Sequence, residues 1–239
     1  MKIALIGYGK MGKTIEEIAL SKGHEIILKI NDENLADLNI TNLQQCDVAI
    51  EFTNPESAIE NMKSCIDAGV PVVCGSTGWV AKQAEIIQYC KDKNGSLLFS
   101  SNFSIGVNIF FELNKKLAQL MSHQKEYTVA IEEIHHTQKK DAPSGTAISL
   151  AQQIIDKRDD IDNWVLNSIP TAEEINITSK RIDPAPGTHH VKYNSYIDDI
   201  EIIHTAHSRK GFAAGAVIAA EFIFGKKGVF TMSDVLKTL

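Results

Sequence analysis

The sequence predicts an α/β protein of two domains, and three observations carry that prediction. A glycine-rich turn, Gly7-Tyr8-Gly9-Lys10-Met11-Gly12, directly follows the apolar run at residues 2–6. Short apolar strand patterns then alternate with helical ones as far as residue 104. Beyond that the chain becomes strand-rich, before a small-residue apolar helix pattern returns near residue 213. Alternation of strands and helices implies a parallel sheet with helices on both faces. A glycine turn at the first crossover of such a sheet is the mark of a Rossmann-type nucleotide-binding domain. The strand-rich middle is expected to form a second, α+β domain.

The composition is that of a soluble globular protein, with a formal net charge of -6. That sign argues against nucleic-acid binding, which needs a basic face. No apolar run reaches membrane-spanning length. Met1-Lys2 leads straight into strand-like residues, so no secretory signal is expected and a cytoplasmic location is. Cys46, Cys65, Cys74 and Cys90 form no CxxC pair and read as reduced thiols.

The glycine turn opens a helical pattern in which Met11, Ile15, Ile18 and Ala19 share a face. This is the context that the dinucleotide fingerprint requires. Gly7 permits the tight turn, Gly9 lets the backbone approach a pyrophosphate, and Gly12 lets helix and strand close up. A second strand, residues 25–30, ends at Asn31-Asp32. Asp32 lies about 20 residues past the last motif glycine, where a carboxylate can hold the adenosine ribose. The next strands are expected at residues 47–52, 70–74 and 96–100, with helices at 56–68 and 81–92. Thr53, Gly75, Ser76, Thr77, Ser101 and Asn102 follow strand ends. In open parallel sheets that is where ligands bind, although each of these residues alone also suits a cap or turn.

Residues 105–121 read as a long helix and 127–132 as a strand that delivers the chain to Glu133-Ile134-His135-His136-Thr137-Gln138-Lys139-Lys140-Asp141-Ala142-Pro143-Ser144-Gly145-Thr146-Ala147. Two histidines and two lysines supply proton donors and positive charge. Pro143 and Gly145 shape a turn, and Ser144 or Thr146 caps a helix whose apolar face is Ala147, Ile148, Leu150, Ala151, Ile154 and Ile155. Basic side chains beside a helix N-terminus suit an anion, a carboxylate or phosphate. The plainer alternative is a solvated basic loop before a capped helix. Residues 158–172 read as a polar connector, with strands at 174–182, 190–193 and 199–204. A helix at 213–224 and a last short one, with Ser233 as a candidate cap, close the chain. The histidines show no metal-ligand spacing, so no metal is expected.

The long central motif resembles the signature of the dihydrodipicolinate reductase family, also called 4-hydroxy-tetrahydrodipicolinate reductases, of bacterial lysine biosynthesis. Glu133, His135, Lys139, Asp141, Pro143, Ser144, Gly145, Thr146 and Ala147 match it, and Ala130 stands where the pattern has a glutamate. Gly75-Ser76-Thr77-Gly78 is similar to the family's G-T-T-G loop, and Ser101-Asn102-Phe103-Ser104 to its A-N-F-S segment. Arg181, Gly187 and His189 resemble an R…G-x-H element, with Asp183 in place of a common glycine. Ser208-Arg209 and the segment from Phe212 to Val217 resemble the family's return to the nucleotide domain.

The resemblance covers essentially the whole chain. It implies reduction of 4-hydroxy-tetrahydrodipicolinate, a small dicarboxylate, by NADH or NADPH with loss of water. It assigns His135 as proton donor or acceptor and Lys139 as proton donor. His136, Gly145, Thr146 and Thr77 become substrate-binding. Gly7, Gly9, Lys10, Met11, Gly12, Asp32, Gly75, Ser76, Thr77, Ser100, Ser101, Asn102 and Phe103 become cofactor-binding. Residues 1–104 with 209–239 become the dinucleotide-binding domain, and 105–208 the substrate-binding and oligomerisation domain of a homotetramer. Another nicotinamide dehydrogenase would not need the D-A-P-S-G-T turn. A non-catalytic dinucleotide sensor would not need both His135 and Lys139.

Overall fold

The computed structural model describes residues 1–208 and 210–239. Along the chain its elements are β1 (Lys2–Ile6), α1 (Lys10–Ser21), β2 (Glu25–Ile30), α2 (Ile40–Leu43), β3 (Val48–Glu51), α3 (Pro55–Asp67), β4 (Val72–Cys74), α4 (Gln83–Asp92) and β5 (Ser96–Phe99). Then follow α5 (Ile105–Met121), β6 (Thr128–His135), α6 (Gly145–Ile155), β7 (Asn163–Leu166), β8 (Glu174–Arg181), β9 (Gly187–Asn194) and β10 (Asp199–Ala206). The chain closes with α7 (Lys210–Ile223), β11 (Gly228–Phe230) and α8 (Met232–Leu236). It divides into two compact units, Met1–Ile105 with Lys210–Leu239, and Gly106–Arg209. Arg209, part of the expected return to the first unit, lies outside the described residues.

The first unit is the predicted doubly wound sheet. Its six strands run in the order β11-β5-β4-β3-β1-β2, every pair parallel. β3 and β4 are buried at every residue, because helices cover both faces. Ile59, Met62, Cys65 and Ile86 fill one side; Ile15, Ala19, Val217 and Ala220 fill the other. The alanines and glycines of α7 allow close approach: Gly215 lies so near the Phe103 carbonyl that a Cβ there would overlap it. β11 is an addition. Its three half-buried residues carry too little pattern to be read as a strand, and pairing with β5 is what orders them. The cap of α8 is Thr231 in a capping box with Asp234, not Ser233.

The second unit is a mixed five-stranded sheet, β10-β9-β6-β8-β7. β6 lies parallel to β8 and antiparallel to β9. Its burial alternates, since only one face carries the core. On that face Val129, Ile131, Ile175, Ile177, Val191 and Tyr193 meet Phe110 and Ala118 of α5 and Leu150 and Ile154 of α6. β7 lies inside the expected polar connector: Trp164 and Val165 are only half buried, and pairing with β8 recruits them. Among the described residues, no helix is long and apolar enough to cross a membrane.

Candidate active site

In the first unit the glycine motif is built as its spacing requires. Gly7 has φ +97°, and a Cβ on it would run into the Phe52 carbonyl. A Cβ on Gly12 would strike the Gly7 carbonyl, whereas Gly9, at the N-cap of α1, has no atom within 4 Å of that position. The start of α1 therefore presents bare backbone N–H groups, a fitting seat for a pyrophosphate. A cavity of about 180 Å³ continues past Gly7 to Ile30, Asp32, Thr53 and Ser57. Asp32 is exposed at its edge. The loop carrying Asp32 is held by Asn31 and Asn34: Asn34 Oδ1 accepts the Asn31 N–H at 2.8 Å, and Asn31 Oδ1 accepts that of Glu33 at 2.9 Å. Lys29, the nearest cation in sequence, is engaged elsewhere, with its Nζ 2.6 Å from Glu16 and 5.0 Å from the centre of the Tyr8 ring.

The turns after β4 and β5 sit at the same edge of the sheet. Trp79 Nε1 donates to the Ser76 carbonyl at 2.7 Å and fastens the Gly75–Gly78 turn, leaving Thr77 exposed. The Ser76 hydroxyl points inward to Glu51, at 3.1 Å. Ser100 Oγ braces its own turn, donating to the Asn102 carbonyl at 2.8 Å. The Phe103 ring is core, 5.7 Å from that of Phe52. Glu51, the last residue of β3, belongs to none of the sequence motifs. It is fully buried and accepts hydrogen bonds from the Thr53 N–H (3.1 Å), the Thr53 hydroxyl, Ser76 Oγ, Asn61 Nδ2 (3.4 Å) and Cys74 Sγ (3.0 Å). Its one signal was a carboxylate inside an apolar strand.

In the second unit, the central stretch begins as strand and only then becomes a loop. His135 is the last residue of β6 and is buried. Strand pairing, which the local pattern understated, runs this far because the Ile182 N–H donates to the His135 carbonyl at 2.7 Å. Residues two apart on a strand share a face, so Glu133 lies beside His135. The fully buried Glu133 carboxylate meets Nδ1 of His135, accepts from Ser179 Oγ at 2.7 Å and pairs with Arg181 Nη1 at 2.9 Å. Burial pushes the Glu133 carboxyl up; the bonds from His135, Ser179 and Arg181 outweigh it and bring its pKa down to about 2.

His189, on β9, stands edge-on to His135 with ring centres 5.1 Å apart. Burial, then the neighbouring His135, pushes His189 down to about 3, so it is neutral at pH 7. The Glu133, His135 and His189 ligand atoms lie within 4.8 Å of one another, a spacing a metal ion could bridge. Here Glu133 and His135 bond to each other, His189 bonds to Ser144, and Arg181 supplies the compensating charge to Glu133.

The loop that follows is pinned from two sides. Arg181 Nη2 donates to the Asp141 carbonyl at 2.6 Å and its Nε to that of Lys139 at 3.3 Å. Lys139 Nζ lies 2.8 Å from both Asp141 carboxylate oxygens. Ser144 rather than Thr146 caps α6, accepting the Ala147 N–H at 3.2 Å, while its hydroxyl meets His189 Nε2 at 3.1 Å. With Ser144 buried, Gly145 exposed and Thr146 half buried, the first turn of α6 opens outward. His136 is half buried and Lys140 exposed.

Comparison with known proteins gives the family. The family model described as "Dihydrodipicolinate reductase, N-terminus" matches residues 1–103, and "Dihydrodipicolinate reductase, C-terminus" matches residues 106–236. The chain belongs to the dihydrodipicolinate reductase family. The 4-hydroxy-tetrahydrodipicolinate reductase of Christiangramia forsetii is 50% identical over 100% of this chain and 99% of its own. That of Methanosarcina mazei is 35% identical, covering 98% and 88%. The dipicolinate-bound dihydrodipicolinate reductase from Paenisporosarcina sp. TG-14 superposes with a TM-score of 0.77 at 22% identity, over 97% of each chain, and shares the fold. The reductase is thus an NAD(P)H-dependent oxidoreductase of lysine (diaminopimelate) biosynthesis. Its reaction reduces 4-hydroxy-tetrahydrodipicolinate to tetrahydrodipicolinate with loss of water.

Proposed function

We propose that His135 and Lys139 handle the protons of this reduction, and that His136, Gly145 and Thr146 hold the substrate carboxylates. The observation that carries the reading is the joining of the His135 strand end to the start of α6. Glu133 and Arg181 tie His135 to the Lys139–Asp141 loop, and His189 bonds to the cap residue Ser144. Proton groups and an outward-opening helix start thereby belong to one unit, joined by hydrogen bonds and by the packing of the His135 ring against that of His189. The bound nicotinamide supplies the hydride. His135 and Lys139 exchange protons with ring and leaving hydroxyl. Lys139 also adds positive charge where carboxylates must settle, and its release from Asp141 is the local change that substrate binding requires. Dipicolinate, bound by the Paenisporosarcina relative, is a flat ring with two carboxylates and supports a small dicarboxylate as the ligand class.

Gly7, Gly9, Lys10, Met11 and Gly12 are proposed to hold the pyrophosphate and Asp32 the adenosine ribose. The turns Gly75–Thr77 and Ser100–Phe103 serve the nicotinamide end, with Thr77 also serving the substrate. NADH is used at least as well as NADPH, because Asp32 and Glu33 repel a 2′-phosphate and Lys29 is paired with Glu16. Residues 1–104 with 209–239 act as the cofactor domain and 105–208 as the substrate and assembly domain. The sheet of the second unit has a face left uncovered by α5 and α6, where Ile203 is 58% exposed. That face supports a homotetramer, and the biosynthetic role supports a cytoplasmic location.

Steady-state kinetics of His135→Ala and Lys139→Ala test the roles. Each should lower kcat by about 10²-fold or more, the scale for a positioned acid or base. Wild-type kcat in both would remove them from the mechanism.

A further inference from the structure

We propose that Glu133 is a positioning residue for the reaction: it holds the Nδ1–H of His135, fixes that tautomer and leaves Nε2 as the atom that exchanges a proton. The inference rests on the reading of His135 as a proton-handling group and goes one residue deeper.

Glu133 is fully buried, and each of its oxygens has a defined partner. Oε1 takes Ser179 Oγ at 2.7 Å and Arg181 Nη1 at 2.9 Å, and Oε2 meets His135 Nδ1. An ionised carboxylate only accepts hydrogen bonds. The group on Nδ1 must therefore be a donor, and neutral His135 carries its one proton there. Arg181 and Ser179 keep the carboxylate charged and stop it turning away. The imidazole is fixed from the other sides as well: the His189 ring stands against it at 72°, and His189 is itself bonded to buried Ser144.

The space at Nε2 is also shaped. A Cβ on Gly187 would come within 3.0 Å of His135 Nε2. The absence of a side chain there keeps that nitrogen clear. When Nε2 takes up a proton, the new cation forms next to a carboxylate already in place, with no reorganisation at the moment of transfer. A carboxylate that only filled space would need no aligned acceptor at Nδ1.

The test begins with the wild-type protein, labelled with 15N-histidine and assigned by the signal lost in His135→Asn. In its neutral form the His135 ring should show a protonated Nδ1 and an unprotonated Nε2. An Nε2–H tautomer in the wild-type protein overturns the proposal. Kinetics supply the second arm. Glu133→Gln can donate its amide to Nδ1 and so favour the wrong tautomer. It should lower kcat by about 10²-fold with KM little changed, while Glu133→Asp, which keeps the charge, should retain more kcat than the amide. A Gln variant with wild-type kcat overturns the proposal. Loss of thermal stability with kcat and tautomer unchanged would reduce Glu133 to a structural residue. If His135→Ala itself keeps wild-type kcat, the reading of His135 fails. If His135→Ala is crippled and Glu133→Gln is not, only this inference fails.

Discussion

The Asp183 carboxylate accepts both the backbone N–H and the hydroxyl of Thr137, at 3.2 and 2.6 Å. These bonds, from Thr137 foremost, hold the Asp183 carboxyl below the usual carboxylate range. Asp183 thereby tethers the turn after β8 to the turn that presents His136 and Lys139. Removing it leaves no buried charge behind, because both residues are exposed. Asp183→Gly should lower kcat/KM by about 3- to 10-fold, the effect of one or two modest hydrogen bonds, with little change in Tm. Unchanged kcat/KM would show that the tether does not govern the loop.

Thr146 is the second residue of α6, and Ser144 already satisfies the cap. Its hydroxyl is therefore not needed as the N-cap. Thr146→Val should raise KM for the dicarboxylate several-fold and leave kcat nearly unchanged, the pattern for lost ground-state binding. Initial rates with saturating cofactor decide it. An unchanged KM assigns the hydroxyl to the fold.

Asp32 and Glu33 are both exposed, and Asp32 borders the cavity past Gly7; they are the proposed selectors of the cofactor. Two acids near a 2′-phosphate cost on the order of 1 kcal/mol in a partly solvated site. Asp32→Ala should narrow or reverse a preference for NADH, measured as kcat/KM for both cofactors at equal ionic strength. A tenfold wild-type preference for NADPH would rule out Asp32 as the selector.

Acid stability should follow His189 and Glu133. The unfolded chain protonates His189 below about pH 6.5, whereas the folded protein does not until about 3. Between those values the unfolded state binds more protons, so stability present above 6.5 is lost as pH falls toward 3. Glu133 acts in the same direction between about 4.5 and its folded value of about 2. In urea unfolding series from pH 7 to 4.5, His189→Asn should flatten the slope by up to about 1.4 kcal/mol per pH unit. An unaltered slope would show that His189 is protonated alike in both states.

The dinucleotide unit was legible because its determinants are local. Each strand of β1 to β5 is a short apolar run, and each glycine of the motif answers a steric demand visible in sequence. The pairing of Glu133 with His135 was legible in principle, since residues two apart on a strand share a face. Their surroundings were not. Ser179 and Arg181 reach Glu133, and His189 reaches His135, only because β8 and β9 pair with β6 in one register. A slip of one residue would turn every one of those side chains to the opposite face. That register is set by burial of Ile131, Ile177 and Val191 against α5 and α6, many residues away in the chain. The sequence by itself determined the fold class, the family motif and the kinds of side chain present. Tertiary structure decided which of them meet: it buried His135, chose Ser144 over Thr146 as the cap and recruited β7 and β11. The physical reason is that burial and strand register depend on contacts between segments far apart in sequence, which no local pattern encodes.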